Sequence, residues 1–233
     1  MEQFIKSVFI DWNKIGEHSY LRNIDALRGL DKLTFSKPVT VFVGENGSGK
    51  STLLEAIAIA AGFNPEGGTK NYRFSTFDSH SELYDALRVA RSARAFGWGY
   101  FLRAESFYNV ATKEKEYSGD EFLHEKSHGE SFLTIAQNHI KPNGLYFLDE
   151  PEAALSPQMQ LVLLSDIYEC AKHGAQFIMV SHSPILLGIP DAEILSFDDG
   201  PLHPCNYEDT GSYQIMKLFI NNREQLLRQL IDE

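Results

Sequence analysis

Cysteine is nearly absent. Cys170 and Cys205 stand alone without paired spacing, so no disulfide framework staples the chain, and a reducing, cytoplasmic compartment is expected. No apolar run is long enough to span a bilayer; the longest, Leu53 to Phe63, is interrupted by Glu55. The opening residues MEQFIKSVFIDW lose their apolar character at Asp11 and do not read as a signal peptide. Membrane insertion is therefore not expected, and any task at a membrane would need spans from another subunit. Proline and serine are too sparse for a long disordered linker, and no internal repeat is visible. A basic excess is missing too. The formal net charge of −11 disfavours a surface that coats polyanions throughout, though not a local basic patch. Arg88, Arg91 and Arg94 share one face of a predicted helix, and Arg103, Lys113 and Lys115 follow. A solvated helix face is the simpler reading of that cluster.

What is present is an ordinary globular composition, 43% hydrophobic over 233 residues, enough for one well-buried domain. Short apolar runs at Val39–Val43, Tyr100–Leu102, Leu145–Leu148, Phe177–Val180 and Ile194–Phe197 read as buried strands. Helical patterns lie between them, at Lys50–Ala61, Ser81–Ala95, Ser131–His139, Pro157–Ala171 and Gln214–Ile231. That alternation predicts an α/β fold with a mainly parallel central sheet covered on both faces. Phe4–Ile10 and Leu33–Phe35 read as further strands forming an antiparallel flank. The expected organisation is one domain over 1–233, with a core lobe at 1–63 and 132–233 and a small helical and loop subdomain at about 64–131. In the last segment, Ile215, Leu218, Phe219, Leu226, Leu227, Leu230 and Ile231 recur at helical spacing. A helix packed on its own core is the preferred reading over a partner-binding helix.

The strongest local pattern is Gly44-Glu45-Asn46-Gly47-Ser48-Gly49-Lys50-Ser51-Thr52, which matches G-x-x-x-x-G-K-[ST] between a predicted strand and a predicted helix. Glycines let the backbone wrap so that successive N–H groups point at phosphate oxygens, and the helix N-terminus adds its positive dipole end. Lys50 is expected to reach the β- and γ-phosphates, and the Ser51 hydroxyl to ligate Mg²⁺. Glycine-rich strand-to-helix turns without ligands exist, but the full Lys-Ser-Thr match in this context points to phosphate binding.

Downstream, Leu145-Tyr146-Phe147-Leu148 ends in Asp149-Glu150. Asp149 stands where an aspartate would support the Mg²⁺ shell, and Glu150 where a base would accept a proton from attacking water. Two acids could instead cap the following helix. Beside a phosphate loop, the pair points to hydrolysis rather than to a small-molecule kinase, which needs no base on water.

On these motifs the sequence resembles the ABC ATPase superfamily. Lys126-Ser127-His128-Gly129-Glu130-Ser131 looks like that family's signature loop, Ser127, Gly129 and Glu130 matching its serine, second glycine and glutamine. Ser127 and the Gly129 amide would open the helix expected near Ser131, another anion-ready terminus. The resemblance implies that this terminus completes the site of a second subunit, two ATP molecules being sandwiched in a head-to-tail homodimer. Pro151-Glu152-Ala153-Ala154-Leu155-Ser156-Pro157 resembles the D-loop, with Ser156 in place of the more familiar acid. Ser181-His182-Ser183-Pro184 resembles the switch-histidine loop, 33 residues after Asp149.

Two departures narrow the resemblance. Glu105 takes the place of the Q-loop glutamine, where it could touch Mg²⁺ directly or through water. Only 21 residues separate it from Ser127, too few for a transporter's coupling subdomain or for a long coiled coil. The whole pattern, including GGTKNYRF, FLRAESFYN, LDEPEAALSP and SHSPILL, looks like compact stand-alone bacterial ATPases of the AAA family allied to the SMC and RecF type. Expected cofactors are ATP and Mg²⁺, with Glu150, His182 and Lys50 catalytic and with Ser51, Asp149 and Glu105 on the metal. Nucleic acid or another protein is the expected further partner. A transporter energy subunit and a nucleotide-gated binding module with little hydrolysis are the rivals. Tyr20, Phe35 and Tyr72 are all candidates to stack on adenine.

Overall fold

A computed structural model describes residues 2–69, 81–103 and 128–231. In chain order its strands and helices are β1 (Ile5–Ile10), β2 (Lys32–Thr34), β3 (Val39–Val43), α1 (Lys50–Ala60), β4 (Gly68–Thr69), α2 (Leu83–Ala86), β5 (Leu87–Arg91), β6 (Trp98–Arg103) and α3 (His128–His139). There follow β7 (Gly144–Asp149), α4 (Pro157–Lys172), β8 (Gln176–Val180), α5 (Pro184–Leu187), β9 (Glu193–Ser196), β10 (His203–Pro204) and α6 (Gly211–Ile231). Among the described residues, no helix is long and apolar enough to cross a membrane.

Seven strands form the central sheet, in the order β10-β9-β3-β8-β7-β6-β4. The five inner strands run parallel, and β10 and β4 close the edges antiparallel. Every residue of β3, β7 and β8 is buried, as expected of parallel strands covered on both faces. Side chains alternate between those faces, so one strand feeds two cores. Leu145 and Phe147 join the core under α1, and Tyr146 and Leu148 the core under α4 and α5. Asp149 continues the first parity, which aims the last side chain of β7 toward α1. Burying each Phe or Leu of this kind contributes about 1.5–3 kcal/mol.

A second, antiparallel sheet, β2-β1-β5, covers the outer side of α1. One buried side chain ties it to the central sheet. Gln176 accepts the Ile5 N–H at 2.8 Å and donates to the Ile5 carbonyl at 3.0 Å, so its carboxamide replaces a ladder rung between β1 and the start of β8.

Two expectations are corrected. Residues 81–95 are not one helix: a single turn, α2, gives way to β5, which pairs with β1 from Ile10↔Leu87 to Ile5↔Arg91. Arg88 and Arg91 therefore lie on a strand. Arg91 donates to the Ala61 carbonyl at 2.8 Å, and the Arg94 guanidinium sits 4.3 Å from the Phe4 ring centroid. The last segment does form a helix, α6, interrupted at Asn222 (φ −132°), but none of its residues is buried. It is not packed on the core. Within 64–131, β4 and β6 belong to the central sheet and β5 to the small one; residues 104–127 lie outside the described ones.

Candidate functional site

The glycine-rich loop joins β3 to α1 at the carboxyl end of the sheet, where parallel α/β sheets gather their ligands. Two of its glycines are required by geometry. Gly49 has φ +96°, and a Cβ there would lie 2.8 Å from the Ile24 side chain; Gly44 has φ +143°, and a Cβ would lie 2.9 Å from an Asp198 oxygen. Lys50 is buried, and its ammonium donates to the carbonyls of Gly44 (2.8 Å) and Glu45 (2.6 Å). Burial lowers its pKa, while the carboxylates of Glu150, Asp198, Glu45 and Asp149 pull the other way. The ammonium is thus parked on the loop's own oxygens, in reach of whatever the loop encloses.

The register Asp149↔Val180 and Phe42↔Val180 brings the ends of β3, β7 and β8 level. Buried Asp149 accepts the Ser51 hydroxyl at 2.9 Å. Glu150 follows in left-handed backbone (φ 48°, ψ 54°), held by its N–H on the Val180 carbonyl at 3.0 Å. For a residue with a Cβ that conformation costs about 1–2 kcal/mol, a strain typical of functional turns. His182 Nε2 lies 3.6 Å from Glu150 Oε1, and it is buried with no hydrogen-bond partner. Lys50, Ser51, Asp149, Glu150 and His182 therefore converge, although the last stands 132 positions after the first.

A cleft of about 190 Å³ opens here, lined by Gly47, Gly49, Lys50, Ser51, Thr52 and Glu150, with Tyr20 and Ile24 as its apolar wall. Tyr20 is 56% exposed, whereas Phe35 is buried in the core and cannot reach a ligand. Tyr72, Ser127 and Glu105 lie outside the described residues. Gly129 and Glu130 fall in the first described turn of α3 rather than in a loop preceding it. Ser156 caps α4, accepting the Met159 N–H at 3.4 Å.

Several polar residues around the site carried no functional expectation. Asp198, just past β9, accepts the Glu45 N–H at 2.8 Å and braces the phosphate loop from its far side. Its acidic pair with Asp199, at the end of a strand beside β3, was the available signal. Glu55 of α1 pairs with Arg103 at 2.8 Å, both side chains being largely buried. Glu152 bonds the backbone of the histidine loop.

Chemically, the cleft offers amide donors, one ammonium and a hydroxyl–carboxylate pair, Ser51 and Asp149. Hard oxygens already in contact suit a Mg²⁺ ion that keeps most of its shell for water and phosphate. The described residues hold no cluster of three or more His, Cys, Asp or Glu able to cage a metal alone. The buried His182 Nε2 makes no hydrogen bond and has the Glu150 carboxylate as its polar neighbour. The residues fit a magnesium–polyphosphate.

Residues 20–142 match the AAA domain family, and residues 121–187 match the AAA ATPase domain. Among curated relatives, the thiamine import ATP-binding protein ThiQ of Ruegeria sp. (strain TM1040) is 26% identical over 190 residues, covering 70% of this chain and 78% of that protein. ABC transporter G family member STR2 of Medicago truncatula is 26% identical over 187 residues. Those cover 70% of this chain, which spans about a quarter (26%) of STR2. Among solved structures, the SMC head domain from Thermotoga maritima aligns with 87% of this chain and 99% of its own, at 17% identity and a TM-score of 0.48.

Proposed function

The chain belongs to the AAA domain family, and from that premise we propose that it binds ATP with Mg²⁺ at the glycine-rich loop and hydrolyses it, two chains closing over two nucleotides. The observation that carries this reading is the meeting of Lys50, Ser51, Asp149, Glu150 and His182 at the carboxyl end of the central sheet.

The backbone amides of residues 44–52 and the Lys50 ammonium would hold the β- and γ-phosphates. Lys50 would exchange the carbonyls of Gly44 and Glu45 for phosphate oxygens, a move open to a flexible four-carbon stem. Ser51 and Asp149 would hold Mg²⁺, with Glu105 as a further candidate. When bound, that ion supplies charge neutralisation across the phosphates. Glu150 takes the proton of the attacking water, and His182, 3.6 Å away, steadies the charge developing on the transferred phosphoryl group. Tyr20 offers an exposed ring on the cleft wall for the adenine. Ser127, Gly129 and Glu130 of one chain would reach the γ-phosphate held by the other.

Glu150→Gln tests the assignment. Turnover should fall by about 10²–10⁴-fold, the contribution of a positioned general base, while ATP binding persists and an ATP-bound dimer accumulates. A variant that turns over at the parent rate, or stays monomeric with ATP, would sink it. A cytoplasmic role in nucleic-acid maintenance or defence rests on the motif resemblance alone. It predicts ATP-dependent DNA binding that weakens with salt, and phosphate release stimulated by DNA. The likeness to ThiQ favours a second reading, a transporter energy subunit, which predicts co-purification with a membrane protein.

A further inference from the structure

The histidine loop has little backbone support of its own. Beyond β8, the Ser181 N–H reaches the Phe42 carbonyl at a long 3.4 Å, and residues 181–183 adopt no regular structure. The His182 amide is satisfied by a side chain from elsewhere; the Ser183 amide is shared between that side chain and the Ser181 hydroxyl, 3.1 Å away. Glu152 Oε1 accepts the His182 N–H at 2.5 Å and the Ser183 N–H at 3.2 Å. Glu152 belongs to the 3-10 turn Pro151–Ala154, which leaves β7 directly after Glu150. A second strap runs in parallel: the Ser183 hydroxyl donates to Gln160 Oε1 at 2.5 Å, and Gln160 Nε2 donates to the Leu155 carbonyl at 2.9 Å. The loop bearing the histidine is thereby fastened at two points to the segment that follows Glu150.

Capping an ordinary turn does not call for a carboxylate here. The second oxygen, Oε2, is buried with no hydrogen-bond partner, a cost that the loop's geometry must offset. Burial raises the Glu152 pKa, and the His182 amide opposes that rise. A group kept in such surroundings holds something in place.

We infer that Glu152 is a positioning residue: through the His182 and Ser183 amides it sets where the His182 imidazole stands relative to Glu150, and it makes the turn after β7 and the histidine loop move as one piece. This rests on the assignment of His182 to ATP hydrolysis. It adds that displacement of the turn 151–154 is transmitted to the imidazole through one carboxylate.

The test is a double-mutant cycle with a readout independent of turnover. Glu152→Ala is expected to lower kcat at least tenfold with KM for ATP within twofold of the parent, because the phosphate loop is untouched. Glu152→Gln keeps an Oε1 acceptor and should recover most of the loss. In a His182→Ala background, Glu152→Ala should cost nothing further. In nucleotide-free protein, the amide proton resonances of His182 and Ser183 should move upfield in Glu152→Ala and hold in Glu152→Gln. An equal loss with and without His182, a Gln variant as poor as Ala, or unmoved amide resonances would each overturn the inference while leaving the ATPase reading intact. A His182→Ala chain that turns over at the parent rate overturns the assignment of that histidine, and this inference with it.

Discussion

Two helices of this chain invert the usual link between pattern and packing. The first, α1, is eleven residues long and apolar almost all round, and buries Leu53, Leu54, Ala56, Ile57 and Ala58 between the two sheets. The last, α6, is twenty-one residues long with an apolar side and a polar side, yet buries nothing. Ile215 is 66% exposed, Ile220 68% and Leu230 70%. Periodicity reports that a helix has a side it prefers to hide. Whether anything hides it is decided by the path of the chain: among the described residues, the main contacts of α6 are with the turn Tyr207–Asp209 and α5. The placement of α1 follows from its position: a helix leaving β3 through a tight loop has nowhere to go but back along the sheet.

The contrast can be broken by mutation. The largest effect is expected from Leu54→Ala in α1, fully buried, which should destabilise by about 2–5 kcal/mol in urea unfolding. A loss below about 1 kcal/mol would mean that α1 is not the keystone described. Gly49→Ala, at the mouth of the same helix, forces a Cβ into left-handed backbone and against Ile24, costing roughly 1–2 kcal/mol. It should also weaken nucleotide binding by calorimetry, an effect Leu54→Ala need not share. The smallest change is expected in α6: Ile220→Ala should shift stability by no more than about 0.5 kcal/mol. A larger, concentration-dependent loss in α6 would show its apolar side to be covered in solution, and the contrast with α1 would close.

The parallel strands, α1 and the phosphate loop were legible because each is written locally, as an apolar run, a helical run and a glycine-Lys-Ser signature. The acids and the histidine were legible because they end such runs. Residues 81–95 were misread for an instructive reason. Arg88, Arg91 and Arg94 repeat at helical spacing, but pairing with β1 outranks that pattern, and Leu87 and Val89 alternate as a strand requires. Glu152 and Asp198 escaped notice because their work is to accept backbone amides in loops distant in sequence, and no side-chain motif records an amide's need. The exposure of α6 was illegible for the complementary reason: composition describes a surface, not its neighbour.

The Gln176 carboxamide has a consequence for the order in which the molecule is assembled. It joins Ile5 to a residue 171 positions later, so β1 cannot be fastened to β8 in this way until all the intervening chain has been made. A strand made before its sheet partners is thus locked in place after them.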